Sequence, residues 1–155
     1  MRRIPLRLIV VLLLLANLLM VSCAVAASCT VSSSGVNFGS FSPLTLAFVD
    51  STGSITVNCT DVVSYSIAIS PGNGSYSQRS MSSGDYSLFY NLYRDAAHQQ
   101  VWGDGSSGSS YTVTLTTPIN GQNNVHTVYG RIPLGTQRAA RVGIYSDTIT
   151  VTVSY

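Results

Sequence analysis

Asp147-Thr148-Ile149-Thr150-Val151-Thr152-Val153-Ser154-Tyr155 alternates apolar and hydroxyl-bearing side chains without a fault after the opening Asp. Successive side chains of a strand point to opposite faces, so Ile149, Val151, Val153 and Tyr155 share one face and Thr148, Thr150, Thr152 and Ser154 the other. The β-branched residues suit a pleated, half-buried surface. An apolar face of this kind has to be covered, and the quoted residues are the last of the sequence, so nothing after them turns back over it. Two outcomes are open: an earlier strand covers it, or it forms an edge that a strand of another chain joins.

Working outward, the same reading extends to most of the chain. Ile55-Thr56-Val57-Asn58-Cys59 and Tyr65-Ser66-Ile67-Ala68-Ile69 alternate, and the second stops at the turn-forming Ser70-Pro71-Gly72-Asn73-Gly74. Leu88–Arg94 places Leu88, Tyr90 and Leu92 on one side, and Tyr111–Thr117 and Val125–Ile132 follow across a loop at Pro118–Asn124. No stretch beyond residue 28 shows apolar spacing at 3.6 residues. Short strands at this spacing, separated by Gly, Pro and Asn turns, predict an all-β, immunoglobulin-like β-sandwich. Gly103–Ser110 reads as a flexible loop.

The first 27 residues stand apart. Arg2, Arg3 and Arg7 precede the apolar run Leu8–Val21, and Ala24-Val25-Ala26-Ala27 follows, the layout of a secretory signal peptide. The folded domain is therefore predicted at residues 28–155. Met20-Val21-Ser22-Cys23 offers a rival reading, a lipoprotein anchored at Cys23. Beyond the leader, Cys29 and Cys59 are an even pair in an exported protein and read as one disulfide. Closing that loop contributes about 3–4 kcal/mol in the chain-entropy model. The pair lacks Cys-x-x-Cys spacing and is structural rather than redox-active.

Charge narrows the function. The formal net charge of +2 counts 8 Arg, of which Arg2, Arg3 and Arg7 lie in the leader; the remaining five face 6 Asp, a net of −1, with no Lys or Glu at all. A near-neutral domain has no electrostatic means of gripping nucleic acid or an anionic membrane, and neither partner nor direct membrane insertion is expected. Two His and no Lys, Glu or free thiol leave little from which to build acid–base, nucleophilic or metal chemistry. No enzyme, cofactor or metal is expected, and Asp95, Asp104 and Asp147 lack the spacing of a calcium loop. His98 and His126 read as solvated, and Arg131 with Asp147 as a surface pair.

Several motifs then fall in order. They are Cys29 with Val36-Asn37-Phe38-Gly39, Val57-Asn58-Cys59, Ser70-Pro71-Gly72, Arg79-Ser80-Met81 and Leu88-Phe89-Tyr90-Asn91-Leu92-Tyr93. Trp102-Gly103-Asp104-Gly105, Tyr129-Gly130-Arg131-Ile132 and Gly143-Ile144-Tyr145-Ser146-Asp147-Thr148 complete the series. In this order, from Cys29 to Tyr155, the chain resembles the spore coat protein U-like domain, which is also the subunit fold of archaic chaperone–usher pili of the Csu type. The resemblance implies a sandwich missing its last strand, handed from a periplasmic chaperone through an outer-membrane usher to a neighbouring pilin subunit. It implies passage through the periplasm to a cell-surface fimbrium serving adhesion and biofilm formation. It also implies that Tyr155 and Gly143, twelve positions apart, mark the chaperone-binding strand, although the aromatic here is the final residue.

On that resemblance, Ile149, Val151 and Val153 are expected to line the strand-accepting groove, with Val31 and Phe38 contributing from the first strand. A predicted mature start one to three residues before Cys29 leaves no strand to donate, since two residues at about 3.3 Å each cannot span a neighbour's groove. That combination fits a tip or initiating subunit. Two alternatives stand beside it: a self-contained coat or matrix protein, or a module whose Trp102, Asp104 and Tyr111 grip a surface glycan. Trp102 itself reads first as a packing anchor.

Overall fold

The computed structural model describes residues 27–42, 47–61, 64–106, 111–116, 121–135, 137 and 140–155. Residues 1–26 of the predicted leader, Cys23 among them, residues 107–110 of the flexible loop and residues 117–120 of the later loop lie outside them. Among the described residues eight strands form: β1 (Cys29–Ser34), β2 (Val49–Cys59), β3 (Ser64–Ile69), β4 (Arg79–Ser83), β5 (Tyr86–Tyr93), β6 (Val113–Thr116), β7 (Asn123–Ile132) and β8 (Val151–Ser154). The ladders between these strands are all antiparallel, in two sheets ordered β1-β2-β7-β5-β4 and β6-β3-β8. The protein is an all-β, immunoglobulin-like sandwich.

The core follows the alternation. Ile55, Val57 and Cys59 of β2, Leu88, Tyr90 and Leu92 of β5, and Val128 and Ile132 of β7 point in from the larger sheet. Tyr65, Ile67 and Ile69 of β3 meet them from the smaller. Cys29 and Cys59, opposite each other on β1 and β2, are joined in a disulfide.

Two departures from the sequence reading matter. The Ser-rich β4 carries no alternation that marks it in advance; its pairing with β5 from Arg79↔Tyr90 to Ser83↔Tyr86 makes it a strand. The long terminal strand is shorter than its pattern. Ser146 exchanges backbone hydrogen bonds with Ser82 of β4, in the larger sheet, whereas Val151–Ser154 pair with β3 in the smaller. Residues 147–150 therefore cross from one sheet to the other. Their side chains keep period two, with Asp147 and Ile149 half-buried and Thr148 and Thr150 exposed, but their backbone has no ladder partner beyond Ser70.

Arg79 is a second feature the sequence hides. Its side chain is wholly buried, with Nη1 donating to Asn91 Oδ1 (2.6 Å), Nη2 to Trp102 O (2.7 Å) and Ser70 O (2.9 Å), and Nε to Ser70 O (3.2 Å). Burial pushes the guanidinium below its ordinary range. Trp102 lies beside it at 1% exposure, with Nε1 donating to Ile67 O.

Candidate functional site: an open seam between the sheets

The larger sheet has five strands and the smaller three, and their inner faces do not match in area. The mismatch shows at β1. Val31 lies opposite Val57 and so shares its inward face; Val57 is fully buried, yet Val31 is 44% exposed. Among the described residues it is left partly uncovered. Across the gap, Val151 and Val153 lie opposite the buried Ile69 and Ile67 and remain only half-buried themselves. Both β1 and β8 are terminal strands of their sheets, each paired along one edge only.

Between these edges runs an apolar trough with two adjoining cavities. The first, about 310 Å³, has Ser33–Val36 and Phe38 on one wall and Tyr145–Asp147, Ile149 and Val151 on the other, over Ile55, Ile69, Leu92 and Val128. The second, about 730 Å³, continues between residues 36–41 and 140–145 over Leu88 and Ile132. Val36, Phe38, Met81 and Tyr145 line both. At the rim of the second, Val142 and Ile144 are almost wholly solvent-exposed.

Glycines make room for one wall. A Cβ on Gly130 would lie 2.7 Å from Val36 Cγ1 and 2.8 Å from Phe38 Cζ, and one on Gly53 would lie 2.7 Å from Ser34 O. The segment after β1 can press onto the inner face of β2 and β7 only because both positions lack a side chain. Phe38 then meets Tyr90 edge-to-face with centroids 5.9 Å apart. The motifs around Phe38 and Gly130 thus describe one contact seen from its two sides.

Polar groups anchor the other wall. Asp147 Oδ2 accepts from the Tyr90 hydroxyl (2.7 Å), and Oδ1 accepts from Thr148 N (2.8 Å) and Asn73 N (3.1 Å). Burial, and then the Asp147 carboxylate, push the Tyr90 phenol far above its ordinary range. Asp147 is therefore not the partner of Arg131. Arg131 of β7 instead binds Asp50 of β2 through Nε and Nη2, both at 2.6 Å, on the outer face of the sheet, because the register sets those two residues opposite each other. That contact holds the Asp50 carboxyl below its usual range and raises Arg131. The pair lies on an exposed surface, where such contacts contribute little to stability.

The remaining sequence-selected residues are scattered. Ile149, Val151 and Phe38 line the first cavity, and Phe38 and Gly143 the second. Val31 and Val153 flank the trough without lining either, and Tyr155 is 60% exposed at its end. The glycan-gripping loop needs correction at Trp102. Its ring is interior, because its backbone N bonds Leu92 O and its indole reaches β3, so it presents nothing to a ligand. Tyr111 is exposed under the Arg94 guanidinium, and Asp104 accepts from Ser106 in a local turn.

The histidines also need correction. His98 packs between the Tyr93 and Tyr129 rings with its side chain 9% exposed. His126 faces inward from β7, opposite Ile55, with Nε2 2.8 Å from the Tyr65 hydroxyl of the other sheet. The sequence missed this because Val125, not His126, carries the apolar signal, yet Val125 points outward at 62% exposure.

Burial lowers the His126 pKa from its ordinary 6.5. Its neutral form is the one the fold favours, so the stability it contributes is complete above about 6.5 and is lost as pH falls through the lowered value. Chemical denaturation between pH 7 and 5 is expected to show falling stability, and His126→Gln is expected to flatten that fall.

The Spore Coat Protein U domain profile matches residues 15–152, a span that begins inside the predicted leader. Among solved structures, the chain is similar to the CsuC–CsuE chaperone–tip adhesion subunit pre-assembly complex from archaic chaperone–usher Csu pili of Acinetobacter baumannii, with a TM-score of 0.53 and 24% identity. That match covers 84% of this chain and 40% of the other, so this chain spans less than half the length of its structural neighbour. No curated protein matches it.

Proposed function

The chain belongs to the Spore Coat Protein U domain family, and on that premise we propose that it is a structural, non-enzymatic subunit of a chaperone–usher pilus whose sandwich is completed by a strand from another chain. One observation carries the reading. The inner face of β1 is partly open at Val31, the outer edge of β8 is unpaired, and the end of β1 and Val151 of β8 line one apolar trough. An added strand would hydrogen-bond to free backbone edges and insert alternate side chains into the two cavities, the physics of β-augmentation. It would also remove an edge that otherwise invites aggregation.

In this reading residues 1–27 direct export. A periplasmic chaperone fills the trough in transit, an outer-membrane usher receives the complex, and a neighbouring pilin subunit supplies the permanent strand at the cell surface. Placement at the fibre tip, with a role in attachment and biofilm formation, takes its support from the tip adhesion subunit in the neighbouring structure; immunogold labelling at regular intervals along a fibre would refute it.

The test of the main proposal is periplasmic yield with and without a co-expressed chaperone of this class, followed by sizing. A 1:1 complex, with aggregation of the chain alone, is the expected result. A stable soluble monomer without chaperone would replace the proposal with the self-contained coat or matrix reading.

A further inference from the structure

The trough is apolar but carries one formal charge in each half. Among the described residues, Asp147 is the sole Asp, Glu, Lys or Arg lining the first cavity, and Arg141 the sole one lining the second. Neither is neutralised by an ion pair among the described residues. The Asp147 carboxylate accepts three hydrogen bonds, from Tyr90, Asn73 and Thr148, and a carboxylate has about four acceptor sites. The nearby Arg79 feels the Asp147 charge but makes no hydrogen bond to it, its bonds going to Ser70 O, Asn91 Oδ1 and Trp102 O. Arg141 is exposed. Its backbone N and O are both held by the Tyr145 hydroxyl (2.8 and 2.9 Å), which fixes this end of the wall while leaving the guanidinium unpaired among the described residues.

From this charge pattern we infer that the seam selects the direction of the strand it accepts: the occupant carries a basic side chain beside Asp147 and an acidic one beside Arg141. The inference rests on the strand-accepting reading above. The two charges are six residues apart, at most about 20 Å along an extended backbone. Cavity-facing positions of a strand alternate, so the complementary residues of the occupant fall four or six positions apart. The wall runs from Arg141 to Asp147 in chain order. A strand whose acidic residue precedes its basic one therefore lies parallel to this wall, and one with the opposite order lies antiparallel. The apolar cavities alone read only alternation, which is nearly symmetric under reversal. The charges break that symmetry, because opposite charges draw a partner into register and like charges repel it.

The experiment uses the full chain and synthetic nine-residue strands sharing one alternating Val/Ile/Thr core. One has Lys before Asp, one Asp before Lys, one Ser at both places and one Lys at both. Each carries a nitroxide at its N-terminus, and the broadened backbone resonances report which end of the trough the label occupies. The Lys-first strand is expected to broaden signals near Val153, and the Asp-first strand those near Gly143. Each is expected to bind about tenfold more tightly than the Ser strand at low salt, with the advantage shrinking as salt screens it.

Arg141→Glu, a change at an exposed residue, is expected to bind the two-Lys strand about tenfold more tightly than the unaltered chain does. If both charged strands place the label at the same end, or the Ser strand binds equally well, the directional inference fails and the strand-accepting reading stands. If no strand binds, the strand-accepting reading itself fails.

Discussion

Val151→Asp is expected to weaken binding of an uncharged incoming strand about a thousandfold. Val151 lines the first cavity and lies opposite the buried Ile69, so a carboxylate there points between the sheets into a cavity that, among the described residues, no Lys or Arg lines. In the bare trough the charge stays partly hydrated; once a strand covers it, it is desolvated. Leaving a polar group buried and unpaired costs several kcal/mol, and a charge more. A loss of about 4 kcal/mol corresponds to roughly a thousandfold in affinity. The neighbouring Thr152 faces solvent, so Thr152→Asp places the same charge one residue away on the opposite face and is expected to bind normally. Both variants are measured for strand binding and for melting temperature. Equal binding by the two would remove Val151 from the groove; loss of the fold in Val151→Asp alone would shift the comparison to Ile149→Asp, whose backbone lies outside the β8 ladder.

Arg79→Met is expected to cause the largest loss of stability of any single change proposed. The side chain is wholly enclosed and supplies hydrogen bonds to Ser70 O, Asn91 Oδ1 and Trp102 O, which tie the end of β3, the start of β4, the middle of β5 and the Trp102 backbone together. Methionine fills much of the volume but takes the donor from Ser70 O and Trp102 O, at about 1–3 kcal/mol each, while Asn91 Oδ1 keeps its bond from Leu92 N. Relief of the buried charge offsets part of that cost, so a net loss of about 3 kcal/mol is expected in urea denaturation. Arg79→Lys keeps the charge but not the planar fork, and is expected to recover only part of it. An unchanged denaturation midpoint in Arg79→Met would show that the clamp contributes no net stability.

Binding at the trough and stability at the clamp are linked through Asp147. Its carboxylate holds Tyr90, a core residue of β5, and the Asn73 backbone in the turn between β3 and β4, while its own chain segment forms the wall of the trough. An occupant that draws on Asp147 therefore acts on a group already fixed by the core. Such preorganisation limits the ordering cost of binding.

The sequence by itself determined the class of fold, because period-two alternation depends on neighbours along the chain and is written locally. It pointed to the disulfide that the fold forms, because beyond the predicted leader Cys29 and Cys59 have only each other. With the resemblance it grouped Ile149, Val151 and Phe38, which line the first cavity, with Val31, Val153 and Tyr155, which line neither cavity. It did not determine where each strand stops or what lies opposite it. The 147–155 pattern runs unbroken through a point where the chain changes sheets, since alternation marks the side a residue faces and not the edge to which it is bonded.

Only the tertiary structure placed Trp102 and Arg79 inside, turned His126 inward and Val125 outward, and paired Arg131 with Asp50 rather than Asp147. Each of those outcomes depends on register between segments distant in the chain. The open seam depends on register as well. It exists because five strands face three, a mismatch that becomes visible only when Val31, aligned with the fully buried Val57, is found partly uncovered.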